Sequence, residues 1–157
     1  MRRKTFLFSL LVSFAFLAFI SAATAAEGVI SIESPHGVDE TADRLEKTLK
    51  EKGMTIFTRI DHENNAEKAG LKLRPTRLVV FGNPKVGTPF MQCNQEAAID
   101  LPQKALVWQD GAGQVWLSYN DPKFIADRYE MAGEGCEEIV QKIEKALKAI
   151  AYETIAP

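Results

Sequence analysis

Cysteine and histidine are scarce in this sequence, which contains two of each among 157 residues. So few cysteines exclude a disulfide-dense scaffold, and the long separation of Cys93 and Cys136 excludes a Cys-x-x-Cys redox motif. Internal repeats, linkers and low-complexity segments are also missing. The sequence therefore predicts one domain with a single core.

Long hydrophobic runs are missing as well, apart from one at the amino terminus. There, three cations in "MRRK" precede the apolar stretch "TFLFSLLVSFAFLAFISAATAA", which ends in small residues and is typical of a secretory signal peptide. We expect residues 1–25 to be that signal peptide, residues 27–157 to form the mature domain, and the protein to be periplasmic or secreted without membrane contact. A retained anchor is the alternative, because the run is at the short end of what spans a bilayer.

Strongly basic patches are absent after that cleavage, because losing the three leader cations shifts the formal charge from −2 to −5. The remaining lysines lie among acidic residues at helical spacings, which is typical of solvated helix faces. No cluster could neutralise several phosphates, so we expect no nucleic-acid partner. The expected partner is a small molecule or another exported protein, and a homodimer is also possible.

A phosphate-binding motif is incomplete. The stretch "FGNPKVGTPFM" places Gly82 and Gly87 at the spacing of a P-loop, but Thr88 and Pro89 follow where the motif requires lysine and then serine or threonine. We therefore expect no nucleotide and no other cofactor. The pattern instead predicts a turn at 82–84 and a helix with Thr88 as N-cap and Pro89 as its first residue. The free N–H groups of that helix start leave room for some other anion.

What the sequence does contain is a periodic pattern of apolar residues, with the alternation of strands in some segments and the spacing of a helix face in others. It predicts strands at 29–34 and 54–60, a helix at 38–52, and a third, central strand in "RPTRLVVF" after a short helical turn. On the second strand, we expect Ile56 and Ile60 on the inner face and Phe57 on the other. An apolar stripe predicts a final helix from about 136 to 152.

The clearest hairpin is "QKALVWQDGAGQVWLSY", in which two β-rich runs flank a glycine-containing turn. If Gln109 pairs with Gln114, the core face carries five residues: Leu106, Trp108, Val115, Leu117 and Tyr119. The whole pattern predicts an α+β fold, with a mostly antiparallel sheet of about five strands and two long helices packed on one face.

The two cysteines would meet an oxidising environment after export, where a disulfide is permitted. A bridge between Cys93 and Cys136 and two unpaired thiols are equally compatible with the sequence, since spacing does not show whether the Cα atoms are close enough.

Four segments resemble the family called domain of unknown function 302: "RIDHENNAEKAGLKLRPT", "FGNPKVGTPFM", "AIDLPQKALVWQD" and "VWLSYNDPKFIADRY". The resemblance runs from about Ser31 to Tyr129 and implies a compact α+β fold without an established activity. The family's recurrent polar positions match Asp61, His62, Asn83, Thr88, Asp100, Tyr119 and Asn120. At Tyr129 relatives often have histidine, so a mechanism with paired histidines is weakened here.

The first functional hypothesis is a small-ligand-binding or interaction module. A ligand would lie between the sheet and the loops at 61–66 and 82–90, against apolar side chains of Phe57, Val107 and Trp116. The candidate ligand-binding residues are Asn83, Thr88, Trp116, His62, Tyr119 and Asn120. Ordinary packing or a dimer contact is the alternative for Trp116 and Phe57.

Two other hypotheses use titratable or sulfur-containing side chains. An enzyme would use His62 with Asp61 or Asp100 for acid–base chemistry, although neighbours in a strand point to opposite faces. The alternative is a copper-type metal site, with these candidate ligands: His36, His62, Met91 and Cys93. Their spacing matches no known motif, and we expect neither catalysis nor a bound metal.

Overall fold

In a computed structural model, which describes residues 26–157, five strands form one antiparallel sheet in the order β1-β5-β4-β3-β2. The strands are β1 (Val29–Ser34), β2 (Thr55–Asp61), β3 (Thr76–Gly82), β4 (Gln103–Gln109) and β5 (Val115–Asn120). The helices are α1 (Val38–Glu51), α2 (His62–Lys68), α3 (Pro84–Cys93), α4 (Pro122–Arg128) and α5 (Glu134–Ile155), with a 3-10 turn at Gln95–Asp100. The predicted signal peptide lies outside the described residues.

The two long helices cover one face of this sheet. In α1, Val38, Ala42, Leu45 and Leu49 recur at helical spacing and are buried, while the acidic residues of the first turn face solvent. The buried stripe of α5 consists of Val140, Ile143, Leu147, Ile150, Ala151 and Thr154. These two stripes and the inner face of the sheet form the core, which confirms the predicted α+β class.

The β4–β5 hairpin differs from its predicted register by one residue. Gln109 pairs with Val115 rather than with Gln114, because the N–H of Asp110 donates to the carbonyl of Gln114 and closes a shorter turn through Gly113. Gly113 has a φ of 87°, which glycine adopts without strain. Since side chains alternate along a strand, this slip reverses β4: the core residues are Ala105 and Val107, and Leu106 and Trp108 face the other side. The predicted core positions on β5 are correct.

A bulge reverses part of β2. Ile56 pairs with Phe81 on the helix-covered face, but the register shifts between Ile56 and Thr58, so that Ile60 pairs with Leu78 on the opposite face. The extra residue is Phe57, whose side chain is 55% exposed. The prediction that Ile56 and Ile60 share the inner face is therefore wrong.

Helix α3 begins five residues earlier than predicted, at Pro84 rather than Pro89. Asn83 is its N-cap, because the side-chain oxygen accepts a hydrogen bond from the N–H of Lys85, and Pro84 occupies the first helical position. Thr88 and Pro89 consequently lie inside the helix. The same Asx-Pro arrangement, Asp121 followed by Pro122, begins α4, which the sequence reasoning missed.

The other face of the sheet stays partly exposed. Its apolar side chains are Ile60, Leu78, Val80, Leu106, Trp108 and Trp116, all of which are half-buried. The two indoles are held by hydrogen bonds, from Trp108 to the Ser118 hydroxyl (2.9 Å) and from Trp116 to the Asp110 carboxylate (3.0 Å). The sheet therefore has one packed face and one half-exposed face.

Candidate functional site

A cavity of about 340 Å³ lies between α3, α5 and the adjoining ends of β3 and β4. Helix α3 contributes Pro84, Val86, Gly87, Thr88, Phe90 and Met91 to its wall, and α5 contributes Lys142, Ile143, Ala146 and Leu147. The sheet and the loops contribute Met54, Phe57, Phe81, Gly82, Asn83, Ala98, Leu101, Pro102 and Gln103. The lining is overwhelmingly apolar, and the volume falls within the range of small-molecule sites.

Small residues in the facing elements create this space. Gly87 on α3 and Ala146 on α5 leave room between the helices, and Phe81 and Phe90 are buried beneath them. At the strand end, a Cβ on Gly82 would come within 3.4 Å of the Phe57 ring. That is an ordinary contact distance, so the ring that the β2 bulge releases lies closely beside Gly82 and forms part of the cavity wall.

In the described part of the chain, four polar residues interrupt the lining, and only one of them has a buried atom without a partner. Asn83 is engaged twice, since its oxygen caps α3 and its amide nitrogen donates to the carbonyl of Gly53 at 3.2 Å. Thr88 and Lys142 are exposed at the mouth. The side-chain oxygen of Gln103 is buried and has no hydrogen-bond partner within residues 26–157. Such an atom costs free energy unless something else satisfies it.

A disulfide ties the two helical walls together. Cys93 at the end of α3 is bonded to Cys136 in the first turn of α5, with a Cα–Cα distance of 5.9 Å. Of the two alternatives that the sequence left open, the structure contains the bridge. It fixes the separation of α3 and α5 at one end of the cavity.

The predicted ligand-binding residues do not form one site. Asn83 and Thr88 lie in the cavity wall, but the other four are elsewhere. Trp116 and Asn120 lie on β5 with side chains on the half-exposed face, and Tyr119 is buried on the opposite face beside a second space of only about 10 Å³. His62 is the first residue of α2. The sequence missed Gln103, which alternation along β4 places on the core face once the correct register is known.

The pKa values of Asp110 and Tyr119, which lie near the predicted residues on β5, are shifted by their surroundings. The hydrogen bond from the Trp116 indole, together with backbone N–H donors, lowers the pKa of Asp110. Burial raises the pKa of Tyr119, and the charge of Asp121 adds to the effect. Both groups therefore keep their usual charge at neutral pH, and neither is prepared for proton transfer there.

The candidate acid–base residues have structural partners. Asp61 caps α2 by accepting from the N–H of Asn64, and it also accepts from Arg77 at 2.8 Å. Asp100 accepts hydrogen bonds from the Tyr129 hydroxyl (2.9 Å) and from Arg128 (3.2 Å). The hydrogen bond to Asp100 raises the pKa of Tyr129. Within residues 26–157, His62 donates to no carboxylate, so these side chains are not assembled as a catalytic pair.

Arg77 is a buried charge that the sequence reasoning did not single out. Its side chain is 9% exposed and contacts Asp39 (2.9 Å), Asp61 (2.8 Å) and Glu63 (3.0 Å). Burial lowers the pKa of the guanidinium, but hydrogen bonds with Glu63 and Asp39 outweigh that effect and leave the pKa raised. Arg77 thus joins β3 to α1 and α2 as a satisfied structural ion-pair cluster.

The candidate metal ligands have other contacts instead of forming a shared site in the described part of the chain. His36 is held by the Ala156 carbonyl at 2.9 Å and lies 3.2 Å from Glu40. Met91 lines the cavity, and the Cys93 sulfur is committed to the disulfide. Across the described part of the chain, no group of three or more His, Cys, Asp or Glu side chains is placed to hold a metal ion.

Curated relatives match part of this chain. It is 47% identical over 104 residues to proteins called fluoride-specific ion channel FluC 1 from Brucella suis biovar 1 (strain 1330) and FluC 2 from Brucella melitensis biotype 1 (strain ATCC 23456 / CCUG 17765 / NCTC 10094 / 16M). The match covers 66% of this chain but only 41% and 38% of theirs, so the chain spans about two fifths of their length. No helix within residues 26–157 is long and apolar enough to cross a membrane.

A solved structure shares the fold. The crystal structure of an uncharacterised conserved protein DUF302 from Bacillus stearothermophilus aligns with a TM-score of 0.72 and 23% identity, covering 82% of this chain and 99% of the other. The model of the family "domain of unknown function DUF302" matches residues 30–150, which is most of the chain. The resemblance seen in the sequence is thereby confirmed. This protein belongs to the DUF302 family.

Proposed function

We propose that this protein is a binding module for an apolar small molecule, which it holds in the cavity between α3, α5 and the sheet. The observation that carries the proposal is the cavity itself, with about 340 Å³ of space and an apolar lining. The space opens to solvent on one side, so without a ligand its apolar wall is in contact with water. A bound apolar ligand would remove that surface from water, which would favour binding.

The proposed location is outside the cytoplasm. The amino-terminal sequence has the pattern of a secretory signal peptide, and the Cys93–Cys136 disulfide is compatible with an oxidising compartment. A binding module in that setting would carry or sense an apolar compound in water. The acid–base alternative lacks support, because within residues 26–157 His62 has no hydrogen bond to a carboxylate, and Asp61 and Asp100 are engaged elsewhere.

The cavity can be filled from one helix. In an Ala146→Phe variant, the added ring occupies the space between α3 and α5, so binding of a small apolar dye such as 1-naphthylamine should weaken at least about tenfold, as the loss of about 1.4 kcal/mol of apolar contact implies. Dye fluorescence titration of the mature, disulfide-bonded protein measures this. The matched control is Ala149→Phe, on the same helix but exposed, which should bind like the wild type.

Two results would contradict the proposal. One is the absence of dye binding by the folded wild-type protein. The other is equal binding by Ala146→Phe and Ala149→Phe, which would place the dye elsewhere, for example on the half-exposed sheet face.

A further inference from the structure

We infer that the cavity is specific for a neutral amphiphile: an apolar chain with a hydroxyl group that hydrogen-bonds the side-chain amide of Gln103. This inference rests on the proposed function, because it names the class of ligand for the same cavity. It goes further by assigning the polar end of the ligand to one residue.

The cavity sets the size and character of the chain. With about 340 Å³, it has room for about ten non-hydrogen atoms if each takes roughly the 30 Å³ of a water molecule. The wall around this space consists of aliphatic, aromatic and thioether groups, among them Phe90, Met91, Ile143 and Leu147. An unbranched or cyclic hydrocarbon portion suits such a wall, because it brings no polar atom that would lose its hydration.

Gln103 supplies the point of recognition. It pairs with Phe81 on the helix-covered side of the sheet, and it is part of the cavity wall. Within residues 26–157 its oxygen is buried without a partner, whereas the amides of Asn83 and Asn94 are both engaged in hydrogen bonds. Buried polar atoms in folded proteins are nearly always paired. Because the unpaired atom belongs to a residue of the cavity wall, a ligand could supply its partner once the amide turns toward the cavity.

A hydroxyl is the group that fits an amide in either orientation. The oxygen has almost no accessible surface in this structure, but the last torsion of a glutamine side chain is soft, so rotation about it can bring either amide atom of Gln103 to the cavity. The amide oxygen accepts and the amide nitrogen donates. Because a hydroxyl can do both, it satisfies whichever atom faces the ligand.

Charge disfavours an anionic head group at the same position. Among residues 26–157, the only cation of the wall is Lys142, which is exposed on α5 at the mouth. A carboxylate beside Gln103 would be buried without a counter-charge, which is far more costly than burying a hydroxyl that is hydrogen-bonded. An anionic amphiphile would therefore have to reverse its direction and place its head at the mouth.

The test compares three ligands of one chain length: n-octane, 1-octanol and octanoate. Each displaces the naphthylamine dye from the mature protein and from a Gln103→Met variant, which keeps the side-chain length but lacks the amide. The ratio of 1-octanol to n-octane affinity should fall about tenfold in Gln103→Met, as expected for one lost hydrogen bond to a buried group. Gln109→Met on the same strand should leave the ratio unchanged.

The outcomes are separable. If neither octane nor octanol displaces the dye, the proposed function itself fails. If both displace it but the ratio is the same in Gln103→Met and wild type, the hydroxyl assignment is wrong although the cavity binds. Tightest binding by octanoate, lost in Lys142→Ala, would also overturn it and place an anion at the mouth. If Gln103→Met does not fold, a crystal structure of the wild type with 1-octanol decides, since the hydroxyl should lie about 3 Å from the Gln103 amide.

Discussion

Two polar side chains with buried atoms lie at opposite ends of the helix-covered face of the sheet, and they differ in the partners that those atoms have. Arg77 at one end of β3 contacts three carboxylates, on α1, β2 and α2. Gln103, which pairs with Phe81 at the other end of β3, contacts no hydrogen-bonding group for its buried oxygen within residues 26–157. The helix-covered face thus has an ionic end, at which the donors of Arg77 all have carboxylate partners, and a cavity end, at which the lining is apolar and the buried oxygen of Gln103 has no partner within residues 26–157.

The difference distinguishes a buried polar side chain that stabilises the fold, Arg77, from one for which we propose a ligand as the partner, Gln103. A buried charge is tolerated when every donor has a partner, and Arg77 meets that condition through contacts that also join β3 to two helices. A neutral amide without a partner adds nothing to the fold and costs about 1–3 kcal/mol. The ionic end therefore holds the molecule together, and the cavity end is held by the disulfide instead.

The largest expected effect is at the cavity end. Replacing both cysteines, Cys93→Ala with Cys136→Ala, should lower the free energy of unfolding by about 4 kcal/mol in the chain-entropy model for a loop of this length. Urea unfolding followed by tryptophan fluorescence measures the change. Adding a reductant should destabilise the wild type and leave the double variant unaffected. Equal stability of the oxidised and reduced wild type would show that the bridge does not hold this end.

The next effect is at the ionic end. Arg77→Met should destabilise the fold by about 3 kcal/mol, because it leaves three clustered carboxylates without their shared cation. The value is at the lower end for broken buried pairs, since Asp39 and Asp61 are partly solvated. Arg128→Met serves as the control, because Arg128 is half-exposed and its pair with Asp100 should contribute less than about 1 kcal/mol. Similar losses in both variants would remove the distinction between the two ends.

The smallest expected change in the free energy of unfolding is an increase rather than a decrease. In the absence of ligand, Gln103→Met should raise the free energy of unfolding by about 1 kcal/mol, since it removes a buried oxygen that has no partner. Gln109→Met on the same strand should lower it, because the Gln109 amide donates to the carbonyl of Gly113 at 3.1 Å. Thermal or urea unfolding of the two variants side by side gives the comparison. Destabilisation by Gln103→Met would mean that the Gln103 amide has a structural partner after all.

Much of the fold was predictable from local patterns. The bounds of β1 were correct to the residue, and the start of α1 was correct because Val38 begins a four-position apolar stripe. The hairpin shows the limit of such reasoning. Its sequence fits two registers, and only the pairing of Asp110 with Gln114 around Gly113 decides which face of β4 is buried.

The site was less predictable, because it depends on irregularities. The bulge at Phe57 and the early start of α3 are single-residue events that periodicity does not reveal. Asn83 and Thr88 were found because turn residues mark that loop, but Trp116 was grouped with Val107 through the one-residue register error, and these two side chains lie on opposite faces of the sheet. The contributions of Ala146 and Gln103 required the packing of α5 on the sheet, which no local pattern encodes.

The bridge between α3 and α5 has a topological consequence. The chain from Cys93 to Cys136, which contains the 3-10 turn, the β4–β5 hairpin and α4, is a closed covalent ring. A single proteolytic cut within that ring, for example at the exposed turn around Gly111, leaves both fragments in one molecule. Gln103 and the helix that carries Ala146 would then remain linked through sulfur, so a nicked protein can keep its cavity walls together after its backbone has been broken.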